Sequence, residues 1–129
     1  MRSDPKNPVA VAANSATNKI YVANSQSNNL SVIDGATNSV TATIPVDTCP
    51  SGVAVDSQTD FIYVANAGDS QNGTPGNVTV INGATNATTT LSDPNAVIPV
   101  AVAANSVTNK IYVANSGSNN VTVINGAHD

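Results

Sequence analysis

An internal repeat constrains the fold of this chain more than any other feature. The five-residue stretch Ile-Tyr-Val-Ala-Asn occurs at 20–24, 62–66 and 111–115. A proline precedes each copy at the same distance and an Asx-Gly pair follows it: Pro8, Pro50 and Pro99, then Asp34-Gly35, Asn82-Gly83 and Asn125-Gly126. Repeats of roughly 42 to 49 residues are typical of solenoids, propellers and arrays, in which each repeat is one supersecondary unit.

The first repeat alternates short apolar runs with polar segments whose side chains favour turns. Four strands are predicted in it: 9–13, 19–24, 29–33 and 39–46. Alternation in the second strand places Ile20 and Val22 on the face opposite to Tyr21. The Asp34-Gly35 pair is expected to form a turn that needs positive φ. Four short strands with tight turns predict an antiparallel meander.

The second and third repeats follow the same plan with two departures. Gly, Pro and Asn dominate 67–76 in the second repeat, which predicts an extended hairpin loop between two strands. The third repeat contains three predicted strands and lacks the fourth. The predicted fold is all-β with about eleven strands, divided into an arm at 1–7, repeats at 8–49 and 50–98, and an incomplete repeat at 99–129.

The first and third repeats have nearly the same sequence. Between Pro8–Gly35 and Pro99–Gly126 the differences are Ala16/Val107, Gln26/Gly117, Leu30/Val121, Ser31/Thr122 and Asp34/Asn125. All of these differences conserve size or lie in turns. The faces of the first and third units are therefore expected to be nearly interchangeable.

The three copies of Ile-Tyr-Val-Ala-Asn, each followed by a Val-x-Val-Ile-Asx-Gly strand or its close variant, resemble the YVTN-type β-propeller repeat. The resemblance covers roughly 8–129, with Ala in place of Thr at one motif position. It implies one four-stranded blade per repeat. It also implies a place at the cell surface or outside the cell, as in surface-layer and secreted members. The first residues show no apolar segment of a secretory signal.

Three blades are too few to close a ring, because propellers typically have about 4–8 blades. The two end faces would each expose apolar surface on the order of several hundred Å². Soluble proteins rarely expose that much apolar surface unless it binds a partner. We therefore expect the chain to bind itself, with two chains closing head-to-tail into a six-bladed homodimer. Three chains with nine blades, or a fragment of a longer propeller, are the alternatives.

Charge and composition argue against nucleic acid and membranes as partners. The net charge is −4 with only four Lys and Arg residues, too few to bind the phosphates of a nucleic acid. No apolar stretch is long enough to span a membrane. Cys49 has no second cysteine in this chain, so it is expected to be a free thiol, with a bridge between chains as the alternative.

The sequence predicts no catalytic, cofactor-binding or metal-binding residue. It contains no Glu, and its single His is His128, whereas a metal in a propeller channel needs several inward carboxylates or imidazoles. Most of the eight Asp residues fall in turns, where Asp is expected for structural reasons. A calcium ion at Asp69 and Asn72 is the alternative, because calcium takes carboxylate and carbonyl oxygens.

The repeated tyrosines and asparagines are predicted to be structural. The tyrosines are expected to pack between blades, and the asparagines to hold turns: Tyr21, Tyr63 and Tyr112, then Asn24, Asn66 and Asn115. A stacking platform for a sugar or peptide is the alternative for the tyrosines. Recognition of a protein or glycan is expected in the long loop, at Asp69, Asn72 and Thr74.

These observations predict a non-enzymatic structural and protein-interaction module, a partial propeller that self-associates through its end blades as a secreted or cell-surface scaffold. The alternative is a fragment of a longer propeller with a channel-centred activity of the metal-dependent lactonase or quinoprotein type. Nucleic-acid binding is a third possibility, since the resemblance includes a DNA-associated relative, and the acidic charge opposes it.

Overall fold

The computed structural model describes residues 7–69, 73–93 and 97–126. It confirms the predicted all-β fold, with eleven strands in the described residues. Sheet I contains β1 Pro8–Asn14, β2 Lys19–Asn24, β3 Asn29–Asp34 and β4 Ser39–Pro45. Sheet II contains β5 Pro50–Asp56, β6 Phe61–Asn66, β7 Asn77–Asn82 and β8 Thr88–Leu91. Sheet III contains β9 Pro99–Asn105, β10 Lys110–Asn115 and β11 Asn120–Asn125.

Each sheet is an antiparallel meander in which strands that are consecutive in sequence pair with each other. The first strands of the three sheets lie together, since β5 packs against both β1 and β9. Sheet II therefore lies between sheets I and III. No described segment forms a helix of the length and apolarity that crossing a membrane requires.

The turns add one detail to the sequence analysis, which is the position of the positive φ. Gly35 does not have a positive φ; the left-handed residue of that turn is Asn38, with φ 60°. Asn18 and Asn28 have the same role in the two preceding turns, as Asn tolerates the left-handed region better than most residues. Gly35 is instead required by a close approach, because an added Cβ would lie 2.8 Å from the carbonyl oxygen of Asn18.

The core consists of two apolar layers that fill the spaces between neighbouring sheets. One layer joins sheets I and II around Tyr21, Leu30 and Ile62. The other joins sheets II and III around Tyr63 and Ile111. Most side chains of these strands are small, which allows the sheets to pack closely. The few large residues of each layer lie at repeated positions.

Candidate interaction faces

Alternation along the strands gives each sheet two different faces. The tyrosine face carries the Tyr of the repeated motif, and the isoleucine face carries its Ile and its Val. In sheet I the pairing of strands aligns Ala12, Tyr21 and Val32 across the tyrosine face. It aligns Ala13, Ile20 and Ile33 across the isoleucine face in the same way.

The two contacts between sheets within the chain are built alike. The tyrosine face of sheet I packs against the isoleucine face of sheet II, so Tyr21 and Ile62 share one apolar cluster. The tyrosine face of sheet II packs against the isoleucine face of sheet III, so Tyr63, Ile111 and Val113 share the other. We call each such contact a seam, and each seam joins unlike faces.

Two faces have no neighbouring sheet in the described residues: the tyrosine face of sheet III and the isoleucine face of sheet I. Tyr112 is 42% exposed, whereas Tyr21 is 0% and Tyr63 is 2% exposed. Valines around Tyr112 and on the isoleucine face of sheet I are similarly bare: Val121 59%, Val123 57%, Val11 66% and Val40 45%. Exposed apolar side chains on one sheet face are typical of binding surfaces in soluble proteins.

A polar pair closes each seam at the end of the sheets where the β1–β2 and β5–β6 turns lie. Asn14 Nδ2 donates to Asp60 Oδ1 at 3.0 Å across the first seam. The Asn109 side-chain amide, in the orientation that satisfies its polar neighbours, donates to Asp56 Oδ2 at 2.9 Å across the second. Asn14 and Asp56 are fully buried, whereas Asn105, at the same repeat position, is exposed.

The last residue of each motif holds a hairpin. Asn24 Nδ2 donates to Asn29 Oδ1 at 2.9 Å and to Ser31 Oγ at 3.0 Å. The other two repeats have the same pair of hydrogen bonds: Asn66 to Asn77 and Thr79, and Asn115 to Asn120 and Thr122. These buried amides stabilise the β2–β3, β6–β7 and β10–β11 hairpins. The first strand of each of these hairpins carries the tyrosine.

The seam environment changes the acidity of one tyrosine. Burial raises the pKa of Tyr21 above its ordinary value of 10.0, and the charge of Asp60 raises it further. The Tyr21 hydroxyl has no hydrogen-bond partner among the described residues. Tyr21 and Tyr63 are thus enclosed by protein and are not accessible as a stacking platform.

Solved structures share this arrangement. Hydrazine synthase of Kuenenia stuttgartiensis is similar over 99% of this chain and 35% of its own, with TM-score 0.76 and 20% identity. A chain of the nidogen/laminin complex matches 92% of this chain and 48% of its own, with TM-score 0.71 and 14% identity. U3-55K matches 98% and 38%, with TM-score 0.81 and 12% identity.

The three sheets are blades of a β-propeller. At these identities the likeness shows the fold alone, and the chain spans between 35% and 48% of the length of the propeller proteins it matches. No protein-family profile matches the sequence, and no curated protein matches it. The structural match thus supports the propeller that the YVTN-type resemblance implies without showing that family.

The predicted recognition residues are only partly described. Asp69 and Thr74 exchange two backbone hydrogen bonds at the base of the long loop, at 2.9 and 2.8 Å. Asn72 lies outside the described residues, so both the recognition site and the calcium alternative stay predictions. Elsewhere in the described part of the chain, no three His, Cys, Asp or Glu side chains group as metal ligands would.

A groove of about 260 Å³ lies between sheets II and III, beside the outer edge of β11. Its walls include Val78, Leu91, Val113 and Ile124, with Asp93 at one side. In sheets I and II a fourth strand covers the corresponding edge. The groove therefore marks the place where sheet III, within the described residues, is one strand narrower than sheets I and II, as the sequence predicted.

Sequence reasoning missed the polar pairs that close the seams. A signal was present, because the paired repeat positions hold only Asn or Asp: Asn14, Asp56 and Asn105 at one position, and Asn18, Asp60 and Asn109 at the other. Turn formation explains such residues within one repeat. Their contact across repeats becomes visible only once neighbouring blades are placed side by side.

Proposed function

We propose that this protein is a non-enzymatic structural and interaction module of the YVTN type that binds copies of itself through its end blades. Two chains close head-to-tail into a six-bladed ring, in which the tyrosine face of sheet III covers the isoleucine face of sheet I of the partner. The observation that carries the proposal is the pairing of unlike faces in both internal seams, which leaves one face of each kind bare at the ends.

The size of the contact suits a stable assembly. A two-chain ring has two seams and covers four faces, which at a few hundred Å² each sum to about 1,200–2,000 Å², the standard size of a specific interface. Each covered Å² of apolar surface contributes about 25 cal/mol. Closure also removes every bare blade face, so assembly stops at the ring instead of continuing as a filament.

A structural role fits the positions of the carboxylates. Asp34 Oδ1 accepts the backbone N–H of Ala36 at 2.9 Å, and Asp56 Oδ1 accepts that of Gln58 at 3.1 Å. Asp47 Oδ2 accepts from Asn77 Nδ2 at 2.7 Å. These side chains hold turns and linkers. We place the protein outside the cell or at its surface, as a scaffold, on the basis of the YVTN-type resemblance.

Matched aspartate variants test the proposal. Val11→Asp places a charge on the isoleucine face of sheet I, and Val121→Asp places one on the tyrosine face of sheet III. Each buries two unpaired charges per ring, so we expect each to convert the dimer to monomer in size-exclusion chromatography with light scattering. Val97→Asp is the control, because Val97 is 47% exposed but lies in the linker before β9.

The control must remain dimeric and all three variants must keep the β-sheet circular dichroism of the unsubstituted protein. Dimers that persist in both Val11→Asp and Val121→Asp would contradict the proposal, because neither end face would then be part of the contact.

A further inference from the structure

We propose that the seam between copies has a fixed register, in which Asn105 of one chain pairs with Asn18 of the partner. In this register Tyr112 lies against the place where the carbonyl group of the partner's Asn18 accepts the N–H of its Gly35, which we call the corner of sheet I. This inference rests on the proposed self-association and names the residues that specify it. It follows from three observations on the two seams inside the chain.

The first observation is that both internal seams use the same two repeat positions. Asn14 pairs with Asp60 at 3.0 Å across one seam, and Asp56 pairs with Asn109 at 2.9 Å across the other. In each pair the residue at the end of the first strand of a sheet contacts the end of the first turn of the following sheet. If a partner chain places its sheet I next to sheet III, the next pair in this series is Asn105 with Asn18 of that partner.

The second observation is that sheet I already has the corner that such a partner needs. Asn18, Asp60 and Asn109 have φ values of 60°, 61° and 59°. Their carbonyl oxygens accept the N–H of a glycine at 2.8, 2.8 and 2.7 Å: Gly35, Gly83 and Gly126. The three corners have the same backbone, although only the corner of sheet I lacks a preceding sheet in the described residues.

The third observation is that Asn105 is held in the orientation of its buried counterparts. Its Oδ1 accepts the N–H of Val107 at 3.0 Å, as Asn14 Oδ1 accepts that of Ala16 at 3.0 Å. The acceptor oxygen is used in both cases. The Nδ2 group of Asn105 is therefore presented outward as a donor, in the position from which Asn14 Nδ2 reaches Asp60.

The tyrosines agree with this register. An added Cβ on Gly126 would lie 2.8 Å from the Tyr63 hydroxyl, so that hydroxyl lies against the corner of sheet III. The charge of Asp60 acts on Tyr21 at the corner of sheet II. Tyr112, which is exposed in the single chain, would contact the equivalent corner of sheet I, formed by Asn18 and Gly35 of the partner.

The register gives the contact between copies a distinct chemistry. Each internal seam contains one Asp and one Asn at the paired positions, whereas the seam between copies contains two Asn residues. Asp at either position is therefore compatible with the seam, because the chain itself contains both arrangements. Asp at both positions brings two carboxylates together, and like charges across an interface oppose association.

Mixing two single variants tests the register without requiring a double variant to fold. Asn18→Asp chains should form homodimers with Asp–Asn pairs at both seams, and Asn105→Asp chains should do the same. A mixed dimer has one Asn–Asn seam and one Asp–Asp seam. Equimolar chains, one of them ¹⁵N-labelled, are mixed, brought to exchange equilibrium and counted by native mass spectrometry.

We expect mixed dimers to fall from the statistical half to about a tenth, which corresponds to about a tenfold penalty at one seam. Asn18→Asp mixed with the unsubstituted chain is the matched control and should give half, because none of its seams contains two carboxylates. The Asn18→Asp/Asn105→Asp double variant should bind itself about 100-fold more weakly than either single variant, since both of its seams are affected.

The outcomes separate this inference from the proposed function. Depleted mixed dimers with the control at half support the register. Statistical mixing in both experiments would overturn the register while leaving self-association in place. A monomeric unsubstituted chain at every concentration would instead overturn the proposed function itself.

Discussion

At the scale of single residues, Tyr21 shows how a seam changes the chemistry of a side chain. Its hydroxyl is buried without a described hydrogen-bond partner and near the charge of Asp60. Both conditions oppose ionisation, so the raised pKa follows from burial first and from the carboxylate second. A tyrosine in this setting makes the stability of the fold decrease as the pH rises in the alkaline range.

The first prediction follows from the sign of that shift. The folded pKa of Tyr21 is above 10.0, so the unfolded chain releases this proton first as pH rises past about 10. The contribution of the neutral hydroxyl to the free energy of unfolding is fully present below that pH and is lost as the pH rises through the folded pKa. Tyr21→Phe carries no such proton and should lose less stability than the unsubstituted protein.

Urea unfolding at pH 8 and at about pH 10.5 measures the effect as the change in free energy of unfolding between the two conditions. The value at pH 8 serves as each protein's own reference. Equal losses in Tyr21→Phe and the unsubstituted protein would show that ionisation of this residue does not contribute.

Residue-scale contacts could be predicted from sequence only in part. The sequence predicts that the repeated Asn24 holds a turn, because short amides favour turns, and the structure shows Asn24 donating across a hairpin. The Asp34-Gly35 pair is followed by a turn with a positive φ, as expected, but its left-handed residue is Asn38, because the sequence shows which residues suit a turn but not which position is left-handed. The Asn14–Asp60 pair depends on two different repeats, and a single repeat contains no sign of their contact.

At the scale of elements, the number of covered faces distinguishes the sheets. Sheet II is buried on both sides, whereas sheets I and III are each buried on one side in the single chain. Residues at the same repeat position therefore contribute to different properties. The central tyrosine contributes to folding, and we infer that the terminal one contributes to assembly.

A second prediction compares Tyr63→Ala with Tyr112→Ala. Tyr63 is 2% exposed, and truncating a large buried aromatic residue costs about 3–5 kcal/mol. Tyr112 is 42% exposed, so its truncation should cost under about 1 kcal/mol in the dilute single chain. The same substitution should weaken the dimer, because it removes the aromatic side chain from the proposed seam.

Denaturant unfolding at low protein concentration measures the first effect, and sedimentation velocity over a concentration series measures the second. Each variant controls for the other, since both lose the same side chain from the same motif. Equal loss of folding stability in the two variants would contradict the assignment of Tyr112 to an open face.

Most of the element-scale organisation could be predicted from the sequence. Strict alternation along short runs defines strands and their faces, as in 19–24, where Tyr21 and Val22 lie on opposite sides of β2. Repetition then extends one correct assignment to three sheets. The order of faces in a seam could not be predicted, because the pattern shows two apolar faces without showing which face meets which.

At the scale of the whole molecule, the repeat number and the direction of packing together determine the proposed behaviour. Every seam joins a tyrosine face to an isoleucine face, so the series has a direction and its two ends are unlike. We propose that ends of this kind bind each other head-to-tail and not like-to-like. Such contacts produce rings when the rotation closes and filaments when it does not.

The near identity of the first and third repeats is consistent with closure. The isoleucine face of a partner's sheet I differs little in sequence from the isoleucine face of sheet III, which already packs against a tyrosine face within the chain. The acidic net charge of −4 acts against association in general, and the end faces themselves carry few charged residues. Association should therefore depend weakly on salt and strongly on the apolar faces.

The molar mass of the unsubstituted protein in solution tests the central claim most directly. Light scattering coupled to size-exclusion chromatography should give twice the chain mass of 12.9 kDa over a wide range of concentrations, with no larger species. A particle with the mass of a single chain in dilute buffer, or an open series of growing oligomers, would contradict the closed two-chain ring.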